Sequence, residues 1–127
     1  MITKKSFLCA SLLSLVLAGA VHAATLFTPP LVPEGNNLLD CYLTNVSDKT
    51  HAVTIEVLNR EGDAVVPTVE ATLNPGEERV ATAQASDSPT DAPRYCKFVV
   101  EGGRTNYRAS ALVREPGRGS ISALAAE

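Results

Sequence analysis

Short stretches in which apolar and polar residues alternate recur from residue 38 onward, and this period of two constrains the fold more than any other feature. The stretches lie at residues 38–44, 53–58, 69–73, 96–100 and 107–114. Successive side chains of a β-strand point to opposite faces, so each stretch predicts a half-buried strand. Turn-forming segments separate the stretches, among them Asn74-Pro75-Gly76 and Glu101-Gly102-Gly103. No stretch after residue 23 keeps a helical period.

This spacing of strands and turns predicts an all-β fold, a two-layer antiparallel β-sandwich of about seven strands over residues 38–127. Residues 24–37 contain three prolines and are expected to form an extended arm ahead of that domain. The predicted arrangement is immunoglobulin-like in outline. It departs from that pattern because the chain has no tryptophan. In addition, Tyr95 directly precedes Cys96, whereas a tyrosine corner places the tyrosine two residues before the second cysteine.

The first 23 of the 127 residues have the pattern of a cleaved secretory signal peptide. Lys4 and Lys5 form a positive start, and about 15 apolar or small residues follow up to Val21. Val21-His22-Ala23 fits the small-x-small pattern of a cleavage site, so we expect the cut after Ala23, with Ala24 as the alternative. An uncleaved anchor is less favoured because a membrane span needs about 20 residues. We therefore expect a periplasmic or secreted protein with no transmembrane segment after cleavage.

Two cysteines, Cys41 and Cys96, remain after the expected cut. An even number of cysteines in an exported chain predicts a disulfide, and this one would close a loop of 56 residues. A redox pair is disfavoured because the Cys-x-x-Cys motif is absent. A metal site is disfavoured because His51 is the only histidine after residue 23.

The candidates for catalytic or cation-binding groups are few. His51 opens a predicted strand, with no Gly-x-Ser-x-Gly motif around any serine, and is interpreted as an exposed residue at a strand edge. Glu77 and Glu78 are adjacent and would point to opposite faces of a strand, so they are interpreted as solvated turn charges. Asp87 and Asp91 lack the dense acidic spacing of a calcium loop, and whether they bind an ion is left open. The sequence therefore predicts no enzyme activity, no cofactor and no metal.

Charge is distributed unevenly along the chain, whose pI is about 5.4. Residues 24–93 carry 3 basic and 11 acidic side chains, whereas residues 94–127 carry 6 basic and 3 acidic ones. This excess gives four candidate residues for a basic face that binds an anionic partner: Arg94, Arg104, Arg108 and Arg114. The favoured interpretation is that these charges cancel against acidic residues of neighbouring strands. The acidic pI and the export signal disfavour binding to nucleic acid.

These features together favour an exported, non-catalytic domain that binds a protein or cell-envelope partner. Its binding surface is expected at the four arginines, at a long loop over Ala83–Pro93, or at an exposed sheet edge. One alternative is a structural subunit of a surface assembly, in which the arm at residues 24–37 adds a strand to a neighbour. A small hydrolase is a less favoured alternative. The identity of the partner, the oligomeric state and the choice between periplasm and exterior stay open.

Overall fold

The computed structural model describes residues 22–87, 92–117 and 120–127, without the side chains of 120–122. These residues form eight strands and two short 3-10 turns. The strands are β1 Ala23–Phe27, β2 Leu38–Asn45, β3 His51–Asn59, β4 Val69–Leu73, β5 Glu78–Gln84, β6 Arg94–Glu101, β7 Tyr107–Arg114 and β8 Ser120–Ala125. The 3-10 turns lie at Ala85–Asp87 and Arg104–Asn106. No helix within these ranges is long and apolar enough to cross a membrane.

Two four-stranded antiparallel sheets stack face to face, which confirms the predicted β-sandwich. Sheet I has the order β1-β6-β3-β4, and sheet II has the order β5-β2-β7-β8. The eighth strand is β1, which falls mostly within the segment expected to be an extended arm. It pairs with β6 from Ala23 opposite Glu101 to Phe27 opposite Lys97. The prolines of the arm begin only at Pro29, so residues 23–27 keep the backbone N–H groups that a strand needs.

The core lies between the sheets and is built from the in-phase residues of the alternating stretches. Its fully enclosed members include Leu39, Leu43, Ile55, Val57, Leu73 and Phe98. Cys41 on β2 and Cys96 on β6 form the predicted disulfide across this core, with a Cα–Cα distance of 5.7 Å. Both cysteines are completely buried, so the cross-link joins sheet I to sheet II through the interior.

The two sheets come together at both sides of the sandwich. On one side, the backbone N–H and C=O of Phe27 in β1 pair with those of Glu127, just beyond β8, at N–O distances of 3.1 Å. On the other side, a tight turn connects β4 to β5, and Gly76 in that turn has a φ of +79°. A φ in this left-handed region favours glycine, which explains the Pro-Gly turn signal. The sandwich therefore has a β1–β8 side and a β4–β5 side.

The loop expected over Ala83–Pro93 begins later than the sequence predicts. Strand β5 continues to Gln84, Ala83 is fully buried, and a 3-10 turn follows from Ala85. Ala83 keeps the period of two that begins at Ala81, and its small side chain faces the core. Residues 88–91, which include Asp91, lie outside the described part of the chain.

Candidate binding surface

The four arginines of the predicted basic face occupy three different environments. Arg108 and Arg114 alternate with the buried side chains of β7 and so lie on the outer face of sheet II. Arg104 lies in the 3-10 turn before β7. Arg94 begins β6 in sheet I, and it is only 1% exposed. Arg104 and Arg108 therefore lie near each other in the fold, and Arg94 lies apart from both.

Arg94 closes one end of the sandwich from inside. Its Nη1 donates a hydrogen bond to the carbonyl oxygen of Gln84, and its Nη2 donates to that of Ala85 at 2.6 Å. Burial lowers the pKa of the Arg94 guanidinium, and the nearby charge of Asp87 acts in the opposite direction. The two terminal nitrogens of the guanidinium therefore tie β6 to the end of β5 through backbone carbonyls, whereas its buried Nε has no hydrogen-bond partner among the described residues.

Arg114 is an ion-pair partner within sheet II. Its Nε donates to Oδ2 of Asp40 on the neighbouring strand β2, and the Asp40 residue is 1% exposed. The Thr82 hydroxyl donates to Oδ1 of the same carboxylate at 2.6 Å. The hydrogen bond and charge of Asp40 raise the pKa of Arg114. Burial, and then the Asp40 charge, raise the pKa of Tyr42 beside this pair. The charge of Arg114 is therefore cancelled by that of Asp40 on the neighbouring strand.

Arg104 and Arg108 stand beside a groove of about 360 Å³ on the β1–β8 side of the sandwich. Three residues that pack against the core form its apolar side: Leu26, Ala109 and Ala126. The Arg108 Nη1 donates to the carbonyl oxygen of Tyr107 at 2.9 Å. Both arginines are exposed. None of the ion pairs seen within residues 22–87, 92–117 and 120–127 involves either of them. We refer to this feature as the Arg104–Arg108 groove.

Tyr107 fixes the position of this groove. Its hydroxyl donates to the carbonyl oxygen of Glu101 at 2.5 Å, across the turn that carries the chain from sheet I to sheet II. Burial, and then the charge of Glu101, raise the pKa of Tyr107 to about 12. This hydrogen bond ties β6 to β7 in the way that a tyrosine corner ties two strands. In the sequence, Tyr107 begins a predicted strand and alternates with its polar residues as the buried residues do, six residues after Glu101.

His51 is more enclosed than the sequence predicts. It is half-buried, and its ring centroid lies 5.9 Å from that of Tyr107. Its Nε2 is buried without a hydrogen-bond partner among the described residues. Gly102 packs against the imidazole, because a Cβ built on that glycine would lie 3.5 Å from Cε1 of His51. The imidazole of His51 therefore packs beneath the turn that contains Gly102.

The acidic candidates that the structure describes accept hydrogen bonds within turns or, at Glu78, across a pair of strands. Both Glu77 carboxylate oxygens are used, by the backbone N–H of Asn74 at 2.9 Å and by Arg79 at 3.3 Å. Glu78 accepts a hydrogen bond from Thr44 at 3.2 Å. Asp87 accepts from the backbone N–H of Gln84 at 2.6 Å. Within the described ranges, no group of three or more His, Cys, Asp or Glu side chains is arranged to hold a metal ion.

Comparison with known proteins supports the fold alone. No protein-family model matches the chain, and no curated protein sequence does. The crystal structure of Thermotoga maritima 1070 matches with a TM-score of 0.53 at 12% sequence identity. The match covers 81% of this chain and 91% of the Thermotoga chain. At this identity the likeness shows a shared β-sandwich architecture.

Proposed function

We propose that this protein is an exported, non-catalytic β-sandwich domain that binds an anionic protein or cell-envelope partner at the Arg104–Arg108 groove. The observation that carries the proposal is the pair of exposed guanidinium groups beside a groove with an apolar side. Glu127 also lines this groove, but no ion pair in the described structure joins a carboxylate to either guanidinium. Arginine binds carboxylate, phosphate and sulfate groups through its planar set of N–H donors. The apolar side of the groove adds contact area that a charged surface alone would not provide.

The disulfide supports export. A fully buried cross-link forms and persists most readily in an oxidising compartment. The expected cleavage after Ala23 is compatible with the fold because four of the five residue pairs between β1 and β6 involve residues 24–27. A chain that begins at Ala24 therefore keeps most of the strand.

The environment of His51 supports a non-catalytic role. A general base needs a hydrogen-bond partner that can lose a proton to it, and a third group that orients it. The Nε2 of His51 has no partner within the described residues, and Gly102 and Tyr107 enclose the imidazole ring. The less favoured alternative, a small hydrolase, would have to use acidic or hydroxyl side chains for catalysis without His51.

The alternative of an assembly subunit, with the arm at residues 24–37 added to a neighbour, would require part of the arm to leave its own chain. Residues 23–27 pair with β6 of the same molecule, and Thr28 continues this contact. The backbone N–H of Thr28 donates to the Cys96 carbonyl at 3.0 Å, and its hydroxyl accepts from the Cys96 N–H at 2.9 Å. No observation therefore favours the arm over the groove as the partner surface.

A charge-reversal experiment tests the proposal. The variant Arg104→Glu/Arg108→Glu and the control Lys49→Glu/Arg60→Glu change the net charge equally, and all four residues are exposed. The probes are polyglutamate, dextran sulfate and anionic phospholipid vesicles, with zwitterionic vesicles as the reference. We expect one anionic probe to bind the wild type and the control with similar affinity and to bind the groove variant at least 10-fold more weakly. Equal binding by both variants, or no binding of any probe to the wild type, would contradict the proposal.

A further inference from the structure

A carboxylate also borders the Arg104–Arg108 groove. Glu127 lines it together with the two arginines, and all three side chains are exposed. Within the described residues, no ion pair joins Glu127 to either guanidinium. The groove therefore presents two positive groups and one separate negative group to a ligand.

The position of Glu127 is fixed by its backbone. The N–H of Ala126 donates to the Ala109 carbonyl oxygen at 2.9 Å, which extends the β7–β8 register beyond the end of β8. The next pair in that register is Glu127 opposite Arg108, and opposite residues of paired strands have their side chains on the same face. The N–H and C=O of Glu127 both pair with Phe27, at N–O distances of 3.1 Å. Backbone bonds therefore hold Glu127 beside the arginine.

Arg108 and Glu127 differ from the ion pair of Arg114 and Asp40 in burial. Asp40 is enclosed and its carboxylate holds Arg114, whereas Glu127 is exposed and unpaired with Arg108. On the β2 side, Arg108 lies opposite the neutral Thr44. An exposed ion pair contributes little free energy, so contact between Glu127 and Arg108 would compete only weakly with a ligand. A ligand with charges of both signs can therefore pair with both groups.

The backbone beside the groove favours a polypeptide ligand. Ala125 lines the groove, and β8 is an edge strand of sheet II. Because the N–H of Ala126 points to β7 and these directions alternate along a strand, the N–H and C=O of Ala125 point away from β7. They have no strand partner within the described residues. An extended peptide supplies the N–H and C=O groups that such an edge can pair with.

We infer that the groove binds an extended polypeptide segment that carries an acidic and a basic side chain two residues apart. Side chains two residues apart lie on the same face of an extended chain. Arg104 and Arg108 bind the acidic side chain, and Glu127 binds the basic one. This inference rests on the proposed function, because the arginines must bind the acidic group. It adds the selectivity of the site, since a purely acidic segment is repelled by Glu127.

Two synthetic peptides of equal length test this selectivity. In one, glutamate and lysine alternate with serine, and in the other, serine replaces each lysine. The variant Glu127→Gln removes the groove carboxylate and keeps the backbone hydrogen bonds to Phe27. Glu34→Gln is the matched control, because Glu34 is exposed, lies outside the groove and has no ion pair within the described residues. Binding to the oxidised, processed chain is measured by fluorescence anisotropy at low ionic strength, where exposed charges are least screened.

We expect the wild type and Glu34→Gln to bind the glutamate–lysine peptide about 3-fold more tightly than the glutamate–serine peptide, as an exposed ion pair would produce. Glu127→Gln should lose this preference. The lysine-free peptide is the more negative one, so general attraction to the arginines would produce the opposite order. A wild type without the preference, a preference that survives in Glu127→Gln, or one that is lost in Glu34→Gln would each overturn the inference.

The variant Arg104→Glu/Arg108→Glu separates this inference from the proposed function. It should bind both peptides about 10-fold more weakly than the wild type. If it does so while Glu127→Gln keeps the preference, the selectivity fails and the anion site stands. Equal binding by the arginine variant and the wild type would contradict the proposed function itself. A wild type that binds dextran sulfate or anionic vesicles through the arginines, and neither peptide, would overturn the inference alone.

Discussion

Removal of the Cys41–Cys96 disulfide should cost a large part of the stability of the domain. The cross-link joins residues 55 positions apart, and the chain-entropy relation assigns a loop of this length about 4 kcal/mol at 25 °C. Domains of this kind unfold with a total free energy of about 5–15 kcal/mol. We therefore expect the uncross-linked domain to keep its fold with a much smaller free energy of unfolding.

The assay is urea unfolding followed by far-UV circular dichroism, with the free energy of unfolding extrapolated to water. Two forms are compared with the oxidised protein: the fully reduced wild type, and the double variant Cys41→Ala/Cys96→Ala. The reduced wild type keeps both sulfur atoms, so its loss of about 4 kcal/mol reports the cross-link alone. The double variant should lose somewhat more, because two buried sulfur atoms are also removed from the core.

The m-value gives an independent check on the reasoning. The entropic account attributes the stabilisation to a more compact unfolded chain, so the uncross-linked unfolded chain should expose more surface and the m-value should rise. A loss below about 1.5 kcal/mol in the reduced wild type, together with an unchanged m-value, would refute this account of the 56-residue loop.

Three further predictions concern single side chains. Tyr107→Phe removes the hydrogen bond to the Glu101 carbonyl and should lower the free energy of unfolding by about 1 kcal/mol in urea titrations. The pKa of Tyr107 is raised to about 12 from an unfolded value near 10. The fold therefore favours the protonated phenol. Its contribution to stability is complete below pH 10 and is lost as the pH rises towards 12, which phenolate absorbance and thermal melts at increasing pH will show. Phe98→Ala empties a fully buried position and should cost about 3–5 kcal/mol in the same urea assay, whereas a cost below about 1 kcal/mol would contradict its place in the core. Arg94→Met leaves the Gln84 and Ala85 carbonyls without their donor and should lower stability by about 1–3 kcal/mol per carbonyl, whereas an unchanged melting temperature would show that water replaces the guanidinium.

The period of two predicted β2, β3, β4, β6 and β7 because a half-buried strand depends on local alternation, and the even number of cysteines predicted the disulfide. The core faces of β2 and β6 follow from Cys41 and Cys96, whose in-phase neighbours are buried. The same rule reveals the place of Arg94: it lies two residues before Cys96 and shares its buried face. Its charge suggested a surface position, but its phase along the strand was the more informative signal.

The pairing of strands could not be predicted in the same way. Asp40 neutralises Arg114 because β2 and β7 are adjacent, and those residues are 74 positions apart. No local pattern encodes that neighbour. Strand β1 was missed for a related reason, since five residues of ordinary composition become a strand through their register with β6. Long-range contacts therefore determine both the sheet order and the charge balance of each face.

This dependence explains why a net charge counted along the sequence overstates the basic surface. Of the six basic residues at positions 94–127, Arg94 is buried, and Lys97 lies 2.7 Å from a Glu56 oxygen on β3. Arg114 is held by Asp40, and Arg118 lies outside the described residues. Two exposed arginines without an ion pair in the described structure remain, and both border one groove. Attraction of an anionic partner should therefore depend on Arg104 and Arg108 and change little when Lys97 alone is neutralised. A binding loss in Lys97→Gln as large as that in Arg108→Gln would show that a diffuse field, and no single groove, attracts the partner.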